Sequence, residues 1–328
     1  MAAPTYTDTL GDMYTTTWQL RLSKLENQIF NATPFYYLMQ KNGRRSNQSG
    51  GRWIEEPLEY ATNPTVRGIG KGEAVTLQQT EHMTTTHWDW KYITGHILRY
   101  FVDEQQNAGK SKQIGKVTAD IDNLRNSVID YMETKLFADG TDDSGKAPDG
   151  LANIVDVTNT TGTIGGLNKA TYSWWRNNVT SMSGEAASVY LIKRMRTMFN
   201  DCGQLGDGVS RFPDLIVTDQ ATYELYEEEC LAIGRIQMPD KGMQDLGFGE
   251  LAFKGRPITW SPSCTAGYMY FLNTKNLRWI VDPSKWLRLG DAIKIYDQIE
   301  DKVHHLVAVG NLVCNNLKRQ GVIHTIAE

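Results

Sequence analysis

The sequence predicts an α+β fold with one long helix, an α/β stretch behind it and a strand-rich C-terminal third. Three observations carry this. Seven apolar residues between Ile114 and Leu136 recur at helical spacing as a single stripe. Strand-like and helix-like patterns alternate between Leu151 and Ile233. From Leu251 onward, apolar runs of strand length follow one another between Gly, Pro, Asn and Asp.

Composition supports a folded chain. Of 328 residues, 22% are charged and 40% apolar, which excludes a disordered polymer. The length suggests about two domains and a large core. No apolar run reaches ~18 residues, so no membrane-spanning helix and no membrane partner is expected. The first twenty residues lack the layout of a secretory leader. The net charge of −4 disfavours a general nucleic-acid binder, which would be strongly basic.

Taken in order, residues 1–51 read as an arm. Met1–Leu20 is polar and Thr-rich, Trp18–Phe30 holds a short amphipathic helix, and Asn42–Arg52 is a Gly/Ser/Asn linker carrying Arg44 and Arg45. Residues 52–92 read as a two-stranded excursion. Arg52–Tyr60 contains Pro57, which removes a ladder donor and marks an edge strand. Thr84–Tyr92 alternates, placing Trp88, Trp90 and Tyr92 on one face. Between these runs, Arg67, Gly68, Gly70, Lys71, Gly72 and Glu73 form a flexible glycine-rich tip.

The clearest helix spans Lys112–Phe137, with Ile114, Val117, Ile121, Leu124, Val128, Met132 and Leu136 on its inner face. At 1.5 Å per residue it forms a rod of roughly 39 Å, which needs a sheet or partner along most of its length. Leu151–Thr158 reads as a short strand. Ser183 is placed to cap a helix with Ala187, Leu191, Met195, Met198 and Cys202 inward, stopping at Gly203. Leu215–Thr218 is a strand, and Asp219 caps a helix carrying Tyr223, Tyr226, Cys230 and Ile233. A glycine-rich loop, Gly234–Gly249, follows. Strands are expected at Leu251–Ser261, Tyr268–Leu272, Trp279–Val281, Trp286–Gln298 and His304–Leu317.

The motifs that carry chemistry fail on inspection. The stretch from Gly140 to Lys146 nearly matches a phosphate-binding loop. Ala147 stands where a magnesium-binding hydroxyl belongs, and Pro148 disfavours a helix start there. Asp139, Asp142, Asp143 and Asp149 lack the Gly and Glu positions of a calcium loop. Six histidines (His82, His87, His96, His304, His305, His324) show no ligating spacing. No nucleophile elbow is present, and the spacing around Gly68, Gly70 and Gly72 is not that of a dinucleotide fingerprint. The four cysteines lie far apart and read as reduced, mostly buried thiols. No catalytic residue, cofactor or metal is therefore expected. Nine Trp and fifteen Tyr, with Trp88 and Trp90 beside polar segments, favour interfaces.

The order of these elements resembles the major capsid proteins of tailed bacteriophages, the Hong Kong phage fold shared with herpesvirus capsid floors. Four fragments carry the resemblance: FADGTDDSGKAPDGLANIV (Phe137–Val155), FPDLIVTDQATYELY (Phe212–Tyr226), LAFKGRPI (Leu251–Ile258) and MYFLNTKNL (Met269–Leu277). The resemblance implies an N-terminal arm (1–51), an extended β-hairpin loop (52–92), a peripheral domain with a spine helix (93–150), an α/β axial domain (151–285) and peripheral return strands (286–328). It implies a virion location, assembly in the host cytoplasm, and hexamers and pentamers closing into an icosahedral shell.

Implied partners are further copies of the chain, a portal protein, a decoration protein, and packaged double-stranded DNA held weakly without sequence specificity. Only about 50 residues precede the loop, so a separate rather than fused scaffolding protein is expected. Candidate intersubunit contacts are Arg67, Gly68, Gly70, Lys71, Gly72, Glu73, Trp88, Trp90, Arg44 and Arg45. Two other readings stay open: an enzyme with an unrecognised, carboxylate-based hydrolytic site, and another virion component such as a tail protein.

Overall fold

Two six-stranded sheets organise the chain, each backed by helix. The computed structural model describes residues 33–41, 43–74, 77–106, 116–204, 209–232, 251–296 and 301–327. The expected helix Trp18–Phe30, the first residues of the long helix, Ile233, the loop Gly234–Gly249 and the end of the strand reaching Gln298 lie outside these residues.

The first sheet is built around β15 (Lys302–Cys314). One edge of β15 pairs antiparallel with β4 (Lys91–Arg99), from Lys302 opposite Arg99 to Gly310 opposite Lys91. The other edge takes three strands in turn: β14 (Ile293–Lys294), β13 (Arg288–Leu289) and β12 (Leu277–Val281). β1 (Arg45–Asn47) adds to β12 in parallel.

A short helix, α2 (Phe101–Gln106), follows β4, and a long helix, α3 (Lys116–Phe137), lies across this sheet. From Leu124 onward the predicted stripe holds: Val128, Met132 and Leu136 are buried, and Leu124 packs against the same core, while Ile121 is half-buried and Ile114 lies outside the described residues. At Gly95 of β4 the helix comes so near that an added Cβ would stand 2.5 Å from Leu124 Cδ1. A short helix, α1 (Pro34–Lys41), docks on α3 through Phe35, Tyr36 and Met39. The ring centres of Phe35 and Phe137 lie 5.4 Å apart.

The second sheet runs β7 (Asn178–Ser181), β16 (Gly321–His324), β11 (Met269–Leu272), β8 (Leu215–Thr218), β10 (Arg256–Trp260), β9 (Ala252–Phe253). Two helices accompany it, α5 (Ala187–Cys202) and α6 (Gln220–Ala232). All five inward residues predicted for α5 are buried, and Gly203 ends it. Asp219 caps α6 as expected, its carboxylate accepting the Thr222 N–H at 3.4 Å. Segment 151–285 supplies most of this sheet but also gives β12 to the first. Segment 286–328 supplies β13 to β15 and returns β16 to the second.

Several expectations are corrected. Asn42–Arg52 is not wholly linker, since β1 pairs with Trp279–Val281. Leu151–Thr158 is not a strand: α4 (Leu151–Ile154) is a helical turn that buries Leu151 and Ile154 at i, i+3 spacing. Ser183 does not cap α5, which begins after Ala186 with no side-chain cap. The predicted strand Thr84–Tyr92 breaks at Asp89–Trp90 and the alternation changes phase, so Tyr92 is exposed while Ile93 is buried. Trp286–Gln298 carries two short strands rather than one. The false phosphate loop is an exposed turn with left-handed backbone at Asp143 and Ser144, held by Lys135 on Asp142 at 2.8 Å.

Candidate functional site

The segment that reaches out of the body is a ribbon. Among the described residues, the strands β2 (Ile54–Glu59) and β3 (Met83–Trp88) pair only with each other, Ile54 opposite Trp88 and Glu59 opposite Met83. Alternation gives β2 two faces: Ile54, Glu56 and Leu58 are buried, while Glu55, Pro57 and Glu59 are exposed. Pro57 is tolerated because its nitrogen lies on the outer edge of β2, which takes no further strand among the described residues.

Four contacts fix the ribbon's base. A turn joins the short hairpin β5 (Thr163–Ile164) to β6 (Leu167–Asn168). In it, the Gly165 carbonyl accepts the His87 N–H at 3.0 Å. Gly165 has φ +57°, and a Cβ there would stand 3.1 Å from both Thr86 and Trp88, so both backbone and space call for glycine. Glu56 forms an ion pair with Arg278 of β12. Burial pushes the Glu56 carboxyl above the ordinary glutamate range and the Arg278 charge opposes this. Tyr60 stacks on Trp174 with ring centres 5.4 Å apart, and the Trp90 indole donates to the Gly51 carbonyl at 3.1 Å.

Beyond this base the chain covers almost nothing. Among the described residues between 61 and 82, none is buried. Val66 is 84% exposed and Leu77 94%, with Ile69 and Met83 also open to solvent. Their gathering on one exposed segment makes that segment a candidate contact surface. The sequence reading picked out the glycines and charges of the tip but not these four side chains. Their signal was weak, being single apolar residues scattered in a polar stretch.

The predicted contact residues divide. Arg67, Gly68, Gly70, Lys71, Gly72 and Glu73 lie at the exposed tip. The tip is closed on itself: Arg67 lies 3.4 Å from Glu73 and donates to the Ala74 carbonyl, and Glu73 accepts the Gly70 N–H at 2.9 Å. Trp88 is a core residue, not a surface one, with its indole donating to Thr86 Oγ1. Trp90 is half-buried at the base. Arg44 donates to Thr274 and faces Asp214, while Arg45 lies over the Trp286 ring at 5.5 Å. The last two are engaged within the chain.

All four cysteines are buried and free. Among the described residues, no group of three or more His, Cys, Asp or Glu is arranged to hold a metal. Among them, too, no helix is long and apolar enough to cross a membrane.

No family model matches the chain, and no curated protein matches it. Solved structures do. The capsid asymmetric unit of cyanophage A-1(L) superposes with a TM-score of 0.71 at 19% identity, over 94% of this chain and 96% of that one. The capsid of Myoviridae phage XM1 follows at 0.60 and 11% identity, over 92% and 95%. An encapsulin complex from Synechococcus elongatus reaches 0.56 at 8% identity, over 99% and 96%. The chain therefore has the fold of these capsid and encapsulin proteins. It is the α+β capsid architecture the sequence led us to expect.

Proposed function

We propose that this chain is the major structural subunit of a tailed-phage capsid, assembling as hexamers and pentamers into an icosahedral shell around double-stranded DNA. The observation that carries the reading is the ribbon, anchored at its base and uncovered beyond it. The exposed Val66, Ile69, Leu77 and Met83 gain cover when a neighbouring copy lies beneath them. The fold likeness supports the same reading over nearly the whole chain. A net charge of −4 suits a shell that does not grip its contents, because phosphate contacts follow basic charge. A separate scaffolding protein, a portal and a decoration protein are the partners this reading calls for. The role is structural, with no catalytic step assigned.

The test is assembly. The purified chain, with and without scaffolding protein and portal, is followed by sedimentation and negative-stain microscopy. Closed shells are expected, and stable monomer under all conditions would reject the reading. A shell that is not a virion is the second reading, favoured by the likeness to the encapsulin complex. Particles from the native source separate the two, since nuclease-protected DNA supports the phage reading and protein contents the other.

A further inference from the structure

Four of the six histidines have partners of their own. His82 meets the Thr80 carbonyl and His87 the Glu55 carboxylate. His304 meets Arg99 and the Gly290 carbonyl, and His324 meets the Thr325 hydroxyl. His96 on β4 and His305 on β15 have each other. They stand directly opposite in the ladder, both exposed, with ring centres 6.3 Å apart and planes at 55°. No hydrogen bond to either imidazole is formed among the described residues.

The ladder fixes how near they are. In an antiparallel strand, a residue's N–H and C=O point to the same side. The His305 carbonyl accepts the Gly290 N–H at 2.7 Å, and the Val309 carbonyl accepts the Asp282 N–H at 3.1 Å. Odd-numbered residues of β15 thus bond away from β4. His96 and His305 are a non-hydrogen-bonded pair, the arrangement that brings Cα atoms to about 4.5 Å and side chains closest. Gly290 beside His305 adds no side chain, which leaves that flank open to solvent.

We propose that His96 and His305 form a two-histidine site for a borderline divalent transition cation, with water completing its coordination. Neutral imidazole suits zinc, nickel and copper, whereas calcium prefers oxygen. With metal–nitrogen bonds of about 2.0–2.1 Å, two imidazoles on one tetrahedral ion hold their ring centres about 5–6 Å apart. A side-chain movement of about 1 Å closes the pair onto an ion of that kind. The bound ion would clamp β4 to β15 in the sheet that carries the long helix. Ligand spacing within one segment does not mark this pair, because His96 and His305 come from distant segments that only the ladder brings together.

The test is calorimetric titration of the untagged full chain with zinc chloride, at a pH where imidazole is neutral. Near-stoichiometric binding is expected, with none for calcium chloride. His96→Gln and His305→Gln should each weaken it by at least about tenfold, since one of two ligands is lost. Zinc should raise the unfolding temperature of the wild type and of His304→Gln, but not of either site variant. Because both site histidines are exposed, the variants should melt like the wild type without metal. Wild-type protein that binds no zinc would overturn the proposal. So would zinc binding unchanged in either site variant.

Discussion

One carboxylate oxygen of Glu133 accepts the backbone N–H of Tyr36 at 2.7 Å, joining the C-terminal end of the long helix to the first turn of α1. The other oxygen accepts the Phe35 N–H at 3.2 Å and the Ser261 hydroxyl at 2.8 Å. Phe35 and Tyr36 are first-turn donors that a helix cannot satisfy internally. A carboxylate from a distant element does so here, and Glu133 is 1% exposed.

Replacing Glu133 should therefore be costly. Glu133→Gln turns one acceptor into an N–H that faces donors, and should destabilise the subunit by about 1–3 kcal/mol at neutral pH. Burial raises the Glu133 pKa more than its hydrogen bonds lower it. The folded state then binds the proton more tightly than the unfolded chain. This contribution is full below the unfolded glutamate pKa and is lost as pH rises through the folded value. The wild type's margin over Glu133→Gln should widen on acidification. Urea unfolding of both proteins at neutral and mildly acidic pH checks the sign.

The ribbon's base and tip should respond oppositely to added bulk. Gly165→Val forces a β-branched residue into left-handed backbone against Thr86 and Trp88. It should cost about 1–3 kcal/mol by overpacking alone. At Gly68 an added Cβ meets nothing within 4 Å and the backbone is not left-handed. Gly68→Ala should stay within about 0.5 kcal/mol of wild type. Thermal melts of the two variants decide this.

Deleting Thr65–Ala74 should leave a folded subunit that does not assemble. The segment buries nothing in its own chain, and the exposed Arg67–Glu73 pair within it is worth about 0–1 kcal/mol. Its loss should barely move the melting temperature. Microscopy should then show no closed shells. Normal shells at normal yield would make the tip a passive excursion, and a melted subunit would make it part of the fold.

The thiols should be silent until the subunit unfolds. Burial pushes Cys202 and Cys314 each up to about 12, and Cys264 well above its ordinary value. The thiolate is the reacting species. Intact-mass analysis after mild iodoacetamide treatment should find the native protein unlabelled, and all four sites labelled in denaturant.

Where burial followed a local pattern, the sequence was readable. The stripes of α3 and α5, the Asp219 cap and the strand Leu215–Thr218 all follow from spacing or capping within a few residues. What escaped depends on distant partners. Arg45–Asn47 is too short and polar to look like a strand, and becomes one because Trp279–Val281 offers an edge. Glu133 looks like a solvated helix acid until α1 lies on it. Trp88 looked like an interface residue because its neighbours are polar, yet the turn at Gly165 closes over it. The site was legible as a glycine-rich excursion, but its apolar side chains acquire meaning only once the rest of the ribbon is seen to be anchored.

The pairing of β15 with β4 sets a clock on synthesis. The first sheet has no central strand until residues 302–314 exist, and the second lacks β16, which lies between β7 and β11. At ~5–20 residues per second, the roughly 200 residues between β4 and β15 take about 10–40 s to make. During that interval the edge of β4 is unpaired, a state open to mispairing with other nascent chains. A chain not yet extended to Cys314 cannot complete the sheet whose strand β12 holds Glu56 of the ribbon through Arg278. The order of strands along the chain thus withholds a completed first sheet, and with it the firm footing of the ribbon on β12, until β15 has been made.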